Sequence, residues 1–235
     1  MPQPLLFRII DKAVYDYTMI EGGDRLLVGA SGGKDSTALI HYLAFRRRRP
    51  GADFSFTALH VQSEITPPLS PELEALYADW GVAPIALDVN VLGRLKPGRK
   101  MNCYWCSTQR RTELLDYAIK NGYNKLVLGH HLDDMLETLL MNMINKGELS
   151  TMAPKMTYRD YPLAVIRPLC YADEGTIIAH GKEQGYMSGT CTCGYQDNSG
   201  RKEARRKLEQ LTDGDVQKKK RLLSALKNIY PEYLP

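Results

Sequence analysis

The segment RLLVGASGGKDSTALIHYL, residues 25–43, constrains the fold of this chain more than any other. Its apolar residues 26–28 indicate a buried strand, and residues 37–40 indicate the core-facing side of a helix. Between them a serine and two glycines form a predicted turn, and a lysine, an aspartate and a serine follow at the predicted helix start. Because helix starts present unpaired backbone N–H groups, this strand-to-helix corner is a candidate anion site.

The rest of the chain alternates apolar runs with helical patterns. The predicted strands span residues 26–29, 56–61, 84–89 and 125–129. The predicted helices span residues 4–20, 35–45, 71–80, 107–121 and 132–145. Strands separated by helices of this length favour a parallel sheet with helices on both faces, so the predicted fold class is α/β.

The sequence pattern changes at Thr151, and this change suggests how the chain is divided into segments. The run KMTYRDYPLAVIRPL, residues 155–169, indicates a hairpin, and a basic, mainly helical tail follows it. We therefore expect an N-terminal helical segment (1–22), a domain built around the anion corner (23–150) and a C-terminal extension (151–235). No long linker is evident, so a boundary near residue 150 would divide one compact body.

Composition narrows the class of protein. The chain has 235 residues, is 43% hydrophobic and carries a net charge of +4, which allows a full core and excludes a disordered class. No apolar run approaches a membrane span, and the N-terminus lacks a signal-peptide pattern, so we expect a cytoplasmic protein without membrane contact. Five cysteines, with two close pairs, indicate metal or redox chemistry in a reducing compartment.

The corner itself has the parts of a pyrophosphate site. It is not a Walker A loop, because Val28 and Asp35 stand where that motif needs a glycine and a serine or threonine. The corner instead offers groups that bind a nucleotide pyrophosphate: backbone N–H groups, a lysine, hydroxyls and a carboxylate that can hold Mg²⁺. The alternative is a tight glycine turn with an ordinary helix cap. The candidate nucleotide-binding residues here are Ala30, Ser31, Gly32, Gly33, Lys34, Asp35 and Ser36.

The sextet SGGKDS resembles the PP-loop of the ATP pyrophosphatase superfamily, and GHHLDD, residues 129–134, resembles the second signature of its tRNA-modifying branch. The resemblance implies an adenine nucleotide alpha hydrolase-like fold that binds ATP and Mg²⁺, the metal being held by Asp35. It also implies nucleotide contacts at Gly129 and His130. The residues that it assigns to catalysis are Lys34, Asp35, Asp133 and Asp134. On the helix that begins here, Asp134, Glu137 and Thr138 share one face, which could hold a metal or orient a base.

Cysteine spacing selects a branch of this superfamily. The sequence CYWC, residues 103–106, and the late Cys193-Gly194 resemble the tRNA 2-thiocytidine synthetases. In that family three such cysteines hold a [4Fe–4S] cluster, which implies Cys103, Cys106 and Cys193 as ligands. The late spacing departs from the family pattern, since Cys191 lies only two residues before Cys193. A closed zinc site of four thiolates is the main alternative.

The expected partners are tRNA, contacted in its anticodon loop, and a cysteine desulfurase or another sulfur donor; a homodimer stays open. Arg46 to Arg49 form a basic run, and residues 201–221 hold nine Lys or Arg against four Asp or Glu. Basic faces bind RNA phosphates, although such runs are more often solvated surface. The expected function is ATP-dependent sulfur transfer to tRNA, as the resemblance implies. The two alternatives are ligation of the lysidine synthetase type, which uses an amine, and RNA binding by a zinc protein.

Overall fold

The computed structural model describes residues 3–95, 98, 103–158, 162–187 and 199–233, and only the backbone of Cys103, Tyr104 and Ser199. Its strands are β1 (Asp24–Gly29), β2 (Phe54–Gln62), β3 (Ile85–Asp88), β4 (Lys125–Val127), β5 (Lys155–Thr157) and β6 (Ala164–Ile166). Its helices are α1 (Leu5–Asp16), α2 (Lys34–Arg47), α3 (Pro71–Asp79), α4 (Cys103–Lys120), α5 (Leu132–Lys146), α6 (Glu174–Glu183), α7 (Ser199–Thr212) and α8 (Val216–Ala225). Short 3₁₀ turns cover Leu92–Arg94, Pro168–Tyr171 and Pro231–Tyr233.

The strands form one six-stranded sheet in the order β3-β2-β1-β4-β6-β5. Of the strand pairs in the described part of the chain, β5–β6 alone is antiparallel, which confirms the predicted hairpin. β1 lies between β2 and β4. The chain passes from β1 to β2 on one side, and it later returns to add β4 on the other side. The crevice beyond the carboxyl ends of β1 and β4 is therefore a topological switch point, where open α/β sheets bind ligands.

Alternating side chains of β1 separate the two sides of the core. Leu26 and Val28 pack in a large cluster with α1, α2, α3, α5 and α6, whereas Leu27 packs in a smaller cluster with α4. α7 and α8 pack on α5, and their buried residues Leu208 and Leu223 belong to the larger cluster. The predicted α/β class, with helices on both faces and a helical C-terminal extension, is confirmed.

Several element boundaries differ from the predicted ones. α4 begins at Cys103, four residues before the predicted start, so that the first turn of this helix contains the C-x-x-C motif. α1 ends at Asp16, before Thr18 turns the chain with a φ of 46°. The sheet contains β1 to β4, which precede residue 150 in the sequence, and also β5 and β6, which follow it. Within the described ranges, no helix is long and apolar enough to cross a membrane.

Candidate active site

The glycine-rich loop joins β1 to α2 at the switch point. Gly32 has a φ of 77°, a conformation that a side chain would strain, and the Gly33 N–H donates to Ser31 Oγ at 3.3 Å. Ser31 Oγ and Ser36 Oγ lie 3.0 Å apart. Among the described residues, no side chain caps the N-terminus of α2, whose N-cap is Gly33. The first N–H groups of α2 are thus left for an anion, as a pyrophosphate site requires.

Lys34 bridges the loop to a helix that sequence analysis did not connect with it. Its ammonium lies 2.9 Å from Glu174 Oε1 at the start of α6 and 3.3 Å from Asp35 Oδ2. Burial alone would lower the pKa of Lys34, but the two carboxylates raise that pKa above its ordinary value. Lys34 is therefore a fixed cation beside the loop.

Asp35 carries an unsatisfied oxygen. Its Oδ1 is buried and accepts no hydrogen bond from the described residues, and His131 Nε2 lies 4.0 Å from it. Burial raises the pKa of Asp35, against the opposing effects of His131 and Lys34. A buried carboxylate oxygen without a donor costs free energy unless something else binds it, and a divalent cation fits that role.

The turn after β4 comes very close to the phosphate loop. A Cβ on Gly129 would lie 3.3 Å from backbone atoms of Asp35 and Ser36, so glycine allows this approach. The next residue, His130, accepts a hydrogen bond at Nδ1 from Arg167 Nε at 3.4 Å. Burial lowers the pKa of His130 to about 4. The His130 imidazole is thus neutral at pH 7 and carries its proton on Nε2.

The acidic face of α5 exists as predicted, but side chains of α7 cover it. Asp134 Oδ2 accepts the His131 backbone N–H at 3.1 Å, and its Oδ1 accepts Arg201 Nη1 at 3.0 Å. Glu137 is fully buried and binds Arg205 Nε at 2.7 Å. Thr138 turns its hydroxyl back to the Asp134 carbonyl. Two arginines of the predicted tRNA-binding tail are therefore used inside the protein.

Asp133 faces away from the loop. Its Oδ2 accepts the backbone N–H of Glu174 at 2.8 Å, and its Oδ1 binds the buried ammonium of Lys219 at 2.8 Å. These contacts join the start of α5 to α6 and α8. The catalytic role expected for Asp133 stays a prediction, and its observed partners are those of a structural cross-link.

A cavity of about 270 Å³ lies at the switch point. The predicted site residues that line it are Ala30, Ser31, Asp35, Ser36, Gly129, His130 and Asp134. Sequence analysis missed Arg110 and Arg111 of α4, which also line it. Arg110 follows Cys103 by seven residues and Cys106 by four, and this helical spacing was the signal that could have found it.

The cysteines are described in part. Cys106 is half-buried in the first turn of α4, and the α4 backbone places Cys103 one turn before it. Cys191 and Cys193 lie outside the described residues, so their predicted roles stay predictions. Cys170 was not expected to be a ligand; burial raises its pKa to about 12, as for an unreactive core thiol.

The basic run at the end of α2 is also engaged within the protein. Arg46 and Arg49 both bind the Asp11 carboxylate, at 3.3 and 2.9 Å. Arg47 and Arg48 donate to the backbone carbonyls of residues 81 and 80, respectively. These contacts favour a structural role for the run over RNA binding.

Comparison with known proteins agrees with this geometry. The family model described as a PP-loop domain matches residues 7–208. The tRNA-cytidine(32) 2-sulfurtransferase of Anaeromyxobacter dehalogenans is 36% identical over 233 residues, covering 97% of this chain and 80% of that protein. The protein of the same name from Geobacter metallireducens is 36% identical over 96% of this chain and 90% of its own length.

Among solved structures, this fold is similar to the U34-tRNA thiolase NcsA from Methanococcus maripaludis, determined with its [4Fe-4S] cluster. The TM-score is 0.78 at 18% identity, over 98% of this chain and 80% of that chain. A match at this identity bears on the fold alone, and it confirms the predicted architecture. The family match and the curated relatives together identify this chain as a member of the PP-loop family and, within it, of the tRNA 2-sulfurtransferases.

Proposed function

We propose that this chain uses ATP to replace the C2 oxygen of a tRNA cytidine with sulfur, at position 32 of the anticodon loop as in the name of its relatives. One observation carries the proposal. α4, which begins with the C-x-x-C motif, and the phosphate loop form walls of the same cavity. Activation by a nucleotide and delivery of sulfur are thereby brought to one place.

The first chemical step is adenylation of the base. The cytidine C2 oxygen attacks the α-phosphorus of ATP, and pyrophosphate leaves with the bonding electron pair. The uncapped N–H groups of α2 and the ammonium of Lys34 stabilise the charge that develops on pyrophosphate. Arg110 and Arg111 supply positive charge on the opposite wall of the cavity.

The second step exchanges oxygen for sulfur. A hydrosulfide nucleophile bonds to C2, its proton is released, and AMP leaves with the electron pair of the C2–O bond. The neutral His130 lines the cavity where these groups meet and can donate a hydrogen bond from Nε2. Water must be kept out, because hydrolysis of the adenylated base would waste ATP.

Two metal cofactors belong to the proposal. Asp35 fits Mg²⁺, since its Oδ1 is buried beside the loop without a donor among the described residues. Cys103, Cys106 and Cys193 would hold a [4Fe–4S] cluster, and the helical start of α4 suits two ligands one turn apart. When bound, a cluster with one iron free of protein ligands supplies the sulfur. A cysteine desulfurase as donor, a cytoplasmic location and a homodimer stay predictions.

The test is anaerobic turnover of unmodified tRNA with ATP and a sulfide source, followed by nucleoside mass spectrometry. We expect 2-thiocytidine at position 32, one pyrophosphate and one AMP per sulfur inserted, and no product without ATP. A parallel reaction with free lysine in place of sulfide tests the alternative, because an amine adduct on the base would indicate the lysidine synthetase type. Absence of both pyrophosphate and modified base would refute the proposed function.

A further inference from the structure

Glu174 lies between the phosphate loop and α7. Its Oε1 is 2.9 Å from Lys34 Nζ, and its Oε2 is 3.7 Å from Arg205 Nη1. Its backbone N–H donates to Asp133, which fixes the start of α6. One carboxylate therefore touches a cation of the loop and a cation of the C-terminal extension.

The position of α7 depends on contacts with α5 and α6. α7 begins at Ser199 and packs on α5. Arg205 holds α7 through its direct contact with the buried Glu137. Its contact with Glu174 is about 1 Å longer than a close ion pair and has room to tighten.

Nucleotide binding changes what Lys34 can contact. Burial would raise the pKa of Glu174, but Lys34, Arg205 and His131 hold that pKa below its ordinary value, so this carboxylate is ionised at neutral pH. A pyrophosphate group in the loop attracts the Lys34 ammonium away from Glu174. Arg205 is then the nearest remaining cation, and the half-buried carboxylate closes on it.

We propose that Glu174 is a positioning residue that couples nucleotide binding at the loop to tighter packing of α7 on α5 and α6. The inference rests on the proposed function, because it requires ATP at the phosphate loop. Coupling of this kind is reciprocal, so the tighter packing of α7 also favours nucleotide binding.

Hydrogen exchange tests this coupling directly. We expect Mg·ATP to slow amide exchange across residues 200–212 about fivefold or more in the wild type. Glu174→Gln removes the charge with little change in shape, and its α7 exchange should not respond to saturating Mg·ATP. Glu183→Gln, the same substitution at the exposed end of α6, is the matched control and should respond as the wild type does.

Calorimetric titration with Mg·ATP distinguishes failure of the proposed function from failure of this inference alone. If the wild type does not bind Mg·ATP, the proposed function is lost and this inference with it. If the wild type binds it without slower exchange in α7, or if Glu174→Gln keeps the slowing, the inference alone is overturned. The amide exchange rates of α7 are compared with and without ATP, because a purely structural role for Glu174 would change these rates equally in both conditions.

Discussion

Asp35 and Asp134 occupy comparable positions and have opposite environments. Asp35 and Asp134 each lie in the first turn of a helix that follows a parallel strand, and both line the same cavity. Asp35 keeps a buried oxygen without a donor among the described residues, whereas both oxygens of Asp134 accept hydrogen bonds. Glu137, one turn further along α5, accepts a hydrogen bond from Arg205 Nε at Oε1, while its buried Oε2 has no donor among the described residues and lies 3.8 Å from Arg201 Nε.

The pKa values follow this difference. Burial raises the pKa of Asp35, and its neighbours do not offset that effect. Burial acts on Asp134 in the same direction, but His131, His130 and Arg201 lower its pKa overall. An acid with unmet hydrogen-bonding capacity is suited to bind a ligand, and an acid with two partners is suited to hold the fold together. These two similar positions thus have different surroundings, because α7 packs on α5.

The largest expected effect comes from removing the unsatisfied acid. Asp35→Ala should lower thiolation of tRNA by about 100-fold or more, as loss of a charge-stabilising group in a transition state does. Lys34→Ala should act similarly. Turnover measured beside the absorbance of the anaerobic protein checks this, because the iron spectrum should not change in either variant. Full thiolation by Asp35→Ala would contradict the assignment of Asp35 to the nucleotide site.

A smaller effect, on stability, is expected from breaking the ion pair between α5 and α7. Arg205→Met leaves the buried Glu137 without its closest cation and should lower the free energy of unfolding by about 2 kcal/mol. This is below the usual loss for a buried pair because Arg205 is half exposed and Arg201 lies 3.8 Å from Glu137. Denaturant unfolding measures it, with Arg206→Met, which pairs with exposed Glu203, as control.

That loss should depend on pH. The pKa of Glu137 is raised in the folded protein, so its contribution is most favourable below the unfolded value of 4.5 and is lost as pH rises through the folded pKa. Removing Arg205 raises the folded pKa further. The deficit of Arg205→Met should therefore be smaller at pH 5 than at pH 8, and a deficit independent of pH would contradict the account.

The smallest effect tests Asp35 itself. Asp35→Asn should leave the free energy of unfolding at pH 8 unchanged or raise it by up to about 1 kcal/mol, since it removes a poorly satisfied buried charge. The raised pKa of Asp35 means that any gain grows as pH rises above 3.8 and vanishes below it. Thermal unfolding at pH 4 and pH 8 measures this. A clear destabilisation at pH 8 would show that Asp35 is a structural acid like Glu137.

Local sequence patterns predicted the parts of the site that are local. The phosphate loop and the GHHLDD turn were found because each combines an apolar strand, a turn and a helix start within a few residues. The start of α4 was missed because its first four residues, Cys-Tyr-Trp-Cys, have lower intrinsic helix propensity than most of the residues that follow. Glu174 was missed because its partners Lys34 and Arg205 are brought together only by the packing of α6.

The basic residues teach the same lesson. Charge runs predicted an RNA surface at Arg46 to Arg49 and in the tail, but sequence alone does not show which cations have internal partners. Asp11 of α1 engages Arg46 and Arg49, and the acids of α5 engage Arg201 and Arg205. These acids lie on other helices, far from the arginines along the chain.

The most direct test of the account is the metal content of the protein purified without oxygen. We predict about four irons per chain and no zinc, as a [4Fe–4S] centre requires. Cys103→Ala, Cys106→Ala and Cys193→Ala should each lose the brown chromophore, whereas Cys191→Ala should keep it. Loss of iron from Cys191→Ala but not from Cys193→Ala would reassign the third ligand. One zinc and no iron in the wild type would contradict sulfur transfer by this chain.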